Sequence, residues 1–312
     1  MKRLLAVFAS LTFCVTALAQ VKLTKESDRV RVEIGGAPFG ELYFGPDAPK
    51  PYFSPLRSAS GKIVTRQWPM VQDLGESKDH QHHRGLWLGY IDVNGFNFWE
   101  NEFSYHRANG GKMVTTSVHV HDNAVHLSID WLSPTGEKVL TEDRTMTFSA
   151  GKDLRIVDFD ATLTAGDKPA VFGDDKDGAF GIRMADKLTE KTGTGVILNS
   201  KGERTMKEAW GKPADWLDYS GTLDGEAVGI ALFDHPDSFH HPARWHARDY
   251  GLVSANPFAD HAYDPSQPVR NFKLDPNGHI HLRYRVVVHG KLDAAGIQKL
   301  YDAWTKGGNS GR

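Results

Sequence analysis

The feature that most constrains this chain is a two-residue alternation of polar and apolar side chains, repeated in short runs between turn residues. Arg29–Ile34 (Arg-Val-Arg-Val-Glu-Ile) alternates strictly and stops at Gly35-Gly36. Residues 114–120, 125–131 and 155–163 behave alike, and Asp122-Asn123 marks a tight turn that makes 114–131 a hairpin. Residues 228–233 add another run. Residues 279–288 set His279, His281, Arg283 and Arg285 against Ile280, Leu282, Tyr284 and Val286. Successive side chains of a strand point to opposite faces, so each run has one wet and one buried side. The 31 glycines and the 11% aromatic content fit turn-rich β structure better than a helix bundle. Helical spacing is clear only near the end, where Asp293 can cap a helix over 293–305 through Ile297, Leu300, Tyr301 and Trp304. A shorter helix is expected over 208–215. The expected fold is all-β: a large antiparallel β-sandwich with one C-terminal helix, formed as a single domain over 20–312.

Residues 1–19 stand apart. Lys2 and Arg3 precede an apolar stretch, and Ala17-Leu18-Ala19 has the small-x-small pattern of a cleavage point. This reads as a secretory signal peptide, with a secreted or periplasmic product starting at Gln20. The apolar stretch is shorter than the roughly 18–20 residues needed to span a bilayer. The lone cysteine, Cys14, lies within it, so the mature chain has neither disulfides nor a catalytic thiol. Loss of Lys2 and Arg3 leaves 35 basic against 39 acidic residues, and no basic stripe suggests nucleic acid. No later run is long enough to cross a membrane.

Chemistry concentrates in four segments. The first is Asp79-His80-Gln81-His82-His83-Arg84-Gly85-Leu86-Trp87. Read as extended chain, His80, His82 and Arg84 share a face and His83 points away. Imidazoles at i and i+2 can bind a divalent metal from a strand edge, or one can carry protons. The second, residues 92–102, holds the Asn94-Gly95 turn, then Trp99 as a stacking face and Glu100 as a carboxylate for a sugar. The third, residues 174–183, offers Asp177 and Arg183 as substrate ligands; it lacks the ligand spacing of a calcium loop and reads better as an acidic turn.

The fourth runs from Asp234 to Phe258 and includes His241 and Asn256. In extended form Arg244, His246, Arg248 and Tyr250 share a face. A base, cations and a phenol together suit an anionic or polyhydroxylated substrate. The expected catalytic set is His82, His83, His246, Arg248 and Tyr250. Arg84, Asn94, Trp99, Glu100, Asp177, Arg183, His241 and Asn256 are expected to bind substrate, and His80, His82 and His246 to hold a metal if one is bound. The two histidine-rich segments are expected to share one pocket. His119, His121, His126, His261, His279, His281 and His289 read better as ordinary strand or loop histidines. A P-loop, a dinucleotide fingerprint, a nucleophile elbow and a His-Glu-x-x-His motif are all absent.

On the 79–87 segment, on Asp92-Val93-Asn94-Gly95, on residues 177–183, and on Trp245-His246-Ala247-Arg248-Asp249-Tyr250-Gly251 with Asn256-Pro257-Phe258, the sequence resembles the PmoA-like family of secreted bacterial proteins, a domain of unknown function. Gln81 stands where that pattern carries proline. The methane-oxidation reading of the family label is rejected, because that subunit spans membranes. The resemblance implies a sandwich similar to the galactose mutarotases and a role in carbohydrate breakdown beside sugar oxidoreductases. The expected function is cleavage of glycosides, including 3-keto-glycosides, by histidine- or metal-assisted elimination and hydration. The alternatives are a sugar epimerase and a non-catalytic carbohydrate-binding protein.

Overall fold

In a computed structural model of the protein, residues 20–307 are described. The segment read as a signal peptide lies outside them. The alternating runs pair into two eight-stranded antiparallel sheets. The first orders its strands Val21–Lys25, Arg29–Ile34, Ala37–Tyr43, Tyr52–Ser54, Leu86–Tyr90, Gly178–Arg183, Leu252–Asn256 and Arg244–Ala247. The second orders Val196–Asn199, Trp216–Leu223, Glu226–Asp234, His279–His289, Leu154–Ala165, Lys138–Gly151, Ala124–Leu132 and Lys112–His121. The expected hairpin is the last pair, and Asp122 takes the left-handed conformation (φ 50°) at its turn.

The sheets face each other through aromatic contacts. Phe53 lies 5.4 Å from Phe148, and Phe180 lies 4.6 Å from Phe159 and 4.7 Å from Tyr284. One charged pair is set into this apolar layer. Glu142 and Arg144 alternate inward between Leu140 and Met146 on the same strand, both buried. Arg144 Nε donates to Glu142 Oε1 (2.6 Å), Trp131 Nε1 donates to Oε2 (2.9 Å), and the guanidinium lies over the Phe159 ring (5.0 Å).

The outer face of the second sheet is covered at one end by the expected helix, observed as Ala294–Gly307. Asp293 Oδ1 accepts from the Gly296 N–H, as the capping reading requires. Ile297, Tyr301 and Trp304 pack on Trp216, Ala231, Phe233 and Val287. The helix expected over 208–215 is instead the five-residue Thr205–Ala209. Gly211, at φ +72°, follows two residues later. No described helix is long and apolar enough to cross a membrane.

His289, read as an ordinary strand histidine, is buried and donates from both nitrogens, Nε2 to Asp218 Oδ1 (2.9 Å) and Nδ1 to the Gly290 carbonyl (2.6 Å). Two donations require the imidazolium. Burial opposes that charge, but the Asp218 bond and charge outweigh it and raise the pKa above the usual value. The sign follows: this contribution is fully present below the unfolded pKa of about 6.5 and is lost as pH rises through the raised folded value. Urea midpoints measured across that range should therefore fall with rising pH more steeply in the native protein than in His289→Gln. Parallel pH profiles would rule this out.

Candidate active site

The first sheet carries the site on its outer face. Gly178–Arg183 and Leu252–Asn256 are buried along their whole length, because loops roof the face turned away from the second sheet. Register aligns Tyr43, Tyr52, Trp87, Gly181, Ser254 and His246 in one row across six strands. Gly181 is required there: a Cβ would come within 2.7 Å of Trp99 and 2.9 Å of Trp87.

Over the middle of this row sits the 79–84 segment. It is a turn rather than the expected extended chain. His80 takes φ 44°, and the His83 N–H donates to the His80 carbonyl (3.0 Å). The turn therefore stacks His80 on His83 (4.9 Å) and brings His82 edge-on to His83 (4.3 Å). His83 in turn stacks on Trp87 (5.2 Å). Arg183 Nη1 donates to His83 Nδ1 (3.2 Å), so that ring is neutral and carries its proton on Nε2. Burial drives the pKa of His83 well below the usual value and that of His82 down to about 2. His82 Nδ1 meets the Tyr105 hydroxyl (3.2 Å).

Asp79 anchors the turn. It accepts from Arg66 (2.6 Å) and Arg183 (2.8 Å), and its other oxygen lies 3.1 Å from His80 Nδ1. Burial alone would raise its pKa, but the His80 bond and the Arg183 and Arg66 charges hold it well below the carboxylate range.

The second cluster begins on the Arg244–Ala247 strand. That strand ends earlier than the expected run through Tyr250. Gly251, at φ +94°, closes a turn in which its N–H donates to the Arg248 carbonyl. The turn folds Tyr250 onto His80, ring on ring at 5.0 Å. Arg183 and Arg248 both lie against the Tyr250 ring, at 4.8 and 5.5 Å. His246 is buried. Its Nδ1 donates to the Lys176 carbonyl (3.0 Å), with Asp177 Oδ1 at 3.5 Å, which fixes the tautomer and leaves the Nε2 lone pair free. Burial lowers its pKa to about 4 against the opposing charge of Asp177. Arg248 has no carboxylate within ion-pair distance among the described residues, and its buried Nε has no partner. The buried Nε1 of Trp210, in a ring 6.4 Å from His246, is also unpartnered.

The site is thus two carboxylate–imidazole pairs, Asp79–His80 and Asp177–His246, with Tyr250 and Arg248 between them. The two histidine-rich segments lie on one face and meet through Tyr250. His83 and His246 do not touch: three strand spacings separate Trp87 from His246, about 14 Å. His82 lies on the His83 side of this gap, so the expected set of His80, His82 and His246 is not gathered into one three-ligand group. Among the described residues, no group of three or more His, Cys, Asp or Glu side chains is placed to hold a metal ion.

Other expected substrate ligands have internal partners. Trp99 is buried against Trp87 and offers no open stacking face. Glu100 pairs with Arg107, and Arg84 is bidentate on Glu102 (2.7 and 2.6 Å). Asn94 braces its turn through Pro169 and Val171, and Asn256 holds the Asp175 carbonyl. His241 pairs with Asp234 (3.0 Å).

Sequence reasoning missed Asp79, although it adjoins His80 in the motif. It also missed Arg66 and Trp210, which have no local pattern, and the Lys176 carbonyl, which no side chain announces. Asp174, in the acidic turn, accepts from the backbone N–H groups of Asp260, His261, Ala262 and Arg270 and so ties two loops together.

Among solved structures, the chain is similar to a polysaccharide lyase (TM-score 0.41, 10% identity, 92% of this chain and 35% of that one). It is also similar to a galactose mutarotase-like protein from Lactobacillus casei ATCC 334 (TM-score 0.41, 10% identity, 86% and 100%) and to a galactose mutarotase related enzyme from Lactobacillus acidophilus (0.35, 10%, 88% and 98%). The chain spans about a third of the length of the lyase. No curated protein matches it significantly. A family model matches residues 29–302, nearly all of the sandwich, and the chain belongs to that family, DUF6807, a family of unknown function.

Proposed function

We propose that this protein is an exported carbohydrate-active enzyme that cleaves keto-glycosides by elimination and hydration. The observation that carries the reading is His246: a buried, neutral imidazole with a fixed tautomer and a free Nε2, next to an unpaired arginine. Hydrogen removal beside a carbonyl needs a base of this kind and a cation for the enolate oxygen. Neither need is met by a close carboxylate pair of the sort used in ordinary glycoside hydrolysis.

In the proposed reaction His246 Nε2 takes the proton from the carbon between the ketone and the anomeric centre. The electron pair forms an enolate that Arg248 stabilises. The enolate collapses to the ketone, the ring gains a carbon–carbon double bond, and the anomeric C–O bond breaks. The leaving oxygen takes a proton from His80, oriented by Asp79. The proton on His246 exchanges with solvent; water then adds to the anomeric carbon, giving its proton to His80, while His246 delivers the exchanged proton to the neighbouring carbon. The sum is glycoside plus water to sugar plus aglycone. The electrophile is assigned to Arg248, whose buried Nε has no partner. The ketone must come from an oxidoreductase that oxidises a sugar hydroxyl.

The test is turnover of p-nitrophenyl 3-keto-glucoside in heavy water. Release of nitrophenol with one deuteron at C2 of the sugar is expected, with no turnover of the unoxidised glycoside. Cleavage without deuterium would establish direct hydrolysis instead. Deuteration with inversion and no cleavage would establish an epimerase. Binding without turnover would leave a carbohydrate-binding module.

A further inference from the structure

We propose that a cleft at the edge of the second sheet binds an amphipathic carboxylate, a molecule with an elongated apolar body and one anionic end, independently of the reaction proposed above. The cleft encloses about 450 Å³, a volume usual for small-molecule sites. It follows the edge strand Lys112–His121 from Lys112 to Val118. The facing wall is the loop after Ala37–Tyr43, through Phe44, Pro46 and Pro49.

Six large apolar side chains are exposed among the described residues, and two of them, Phe103 and Val114, line this one cleft. A single exposed apolar side chain is ordinary; two gathered with Phe44, Pro46 and Pro49 around a concave surface mark a place that a ligand covers.

Charge selects the end group. The lining holds two lysines, Lys25 and Lys112, and no Asp or Glu. Lys25 Nζ donates to the Val118 carbonyl (2.8 Å). The exposed Lys112 ammonium has no hydrogen-bond acceptor and no carboxylate within ion-pair distance among the described residues. Two cations without an anion repel a cationic guest and favour a carboxylate. Thr115, which alternates inward with Met113, adds a buried hydroxyl that has no partner.

The edge also decides between a small molecule and an added peptide strand. The Met113 N–H already donates to the Pro49 carbonyl (3.1 Å), Lys25 caps the Val118 carbonyl, and the register shifts between Thr115 and Ser117. Strand addition needs an unbroken row of main-chain donors and acceptors, which this edge lacks. From Lys112 to Val118 the strand rises about 20 Å, so the cleft is long and suits an extended chain with its carboxylate at the Lys112 end.

The test is binding of octanoate, with 1-octanol as the neutral analogue, by titration calorimetry and saturation-transfer NMR. Octanoate is expected to bind with Kd below about 1 mM and about fivefold more tightly than octanol. Lys112→Gln should remove that fivefold preference and leave octanol binding unchanged. Phe103→Ser should weaken both ligands about tenfold. Both positions are exposed, so an unchanged urea midpoint shows that the variants fold. Absence of octanoate binding overturns the site. Equal binding of the two ligands, or a preference that survives Lys112→Gln, overturns the anionic end. Affinity unaffected by Phe103→Ser places the ligand elsewhere and overturns the cleft. Tighter binding of an acidic extended peptide, lost in Phe103→Ser, overturns the small-molecule occupant.

Discussion

His246→Asn is expected to lower kcat for keto-glycoside cleavage by about 10²–10⁴-fold, the usual contribution of a positioned general base. The asparagine amide can still donate toward the Lys176 carbonyl, so the buried donor position stays occupied while the basic lone pair is lost. The discriminating measurement is the pH profile of kcat/KM. The native base works only when neutral, so activity should fall as pH drops through about 4. Asp177 raises the pKa of His246 through its charge; Asp177→Asn should therefore shift this acid limb to lower pH. A purely structural His246 would change the melting temperature and leave the limb in place.

Arg144→Leu is expected to destabilise the protein by about 3–5 kcal/mol, because it leaves Glu142 ionised in the apolar layer without its cation. Leucine fills much of the vacated space, so the loss is electrostatic more than steric. Replacing both partners, Glu142→Met with Arg144→Leu, should recover part of the loss. The remainder reflects the Trp131 N–H, which then has no acceptor, at about 1–3 kcal/mol. Urea unfolding at constant m-value measures both variants. A single variant within 1 kcal/mol of the native protein would contradict burial of the pair as described.

The sheets were legible wherever one face met the core and the other met water. Arg29–Ile34 and His279–His289 alternate in burial as their residue types do. Gly178–Arg183 carries no such alternation, because roofing loops bury both its faces. The helix was legible from Ile297, Tyr301 and Trp304, which one stripe of apolar surface accounts for. The site was only half legible. Its residue types stood out, but their directions did not: each reading assumed extended chain where a left-handed residue, His80 or Gly251, turns the backbone. Nor could the sequence show that Tyr250 would bridge segments more than 160 positions apart. That contact depends on strand order, which local patterns do not encode.

The Lys176 carbonyl has a consequence for how such a site changes over time. Because a main-chain oxygen selects the imidazole tautomer, replacing the Lys176 side chain leaves that instruction in place. What can erase it is a change in chain length. A residue gained or lost between the Asp174 clamp and the strand beginning at Gly178 would swing a different peptide group toward His246. The loop therefore stores its information in spacing, and insertions there would be far less tolerated than substitutions.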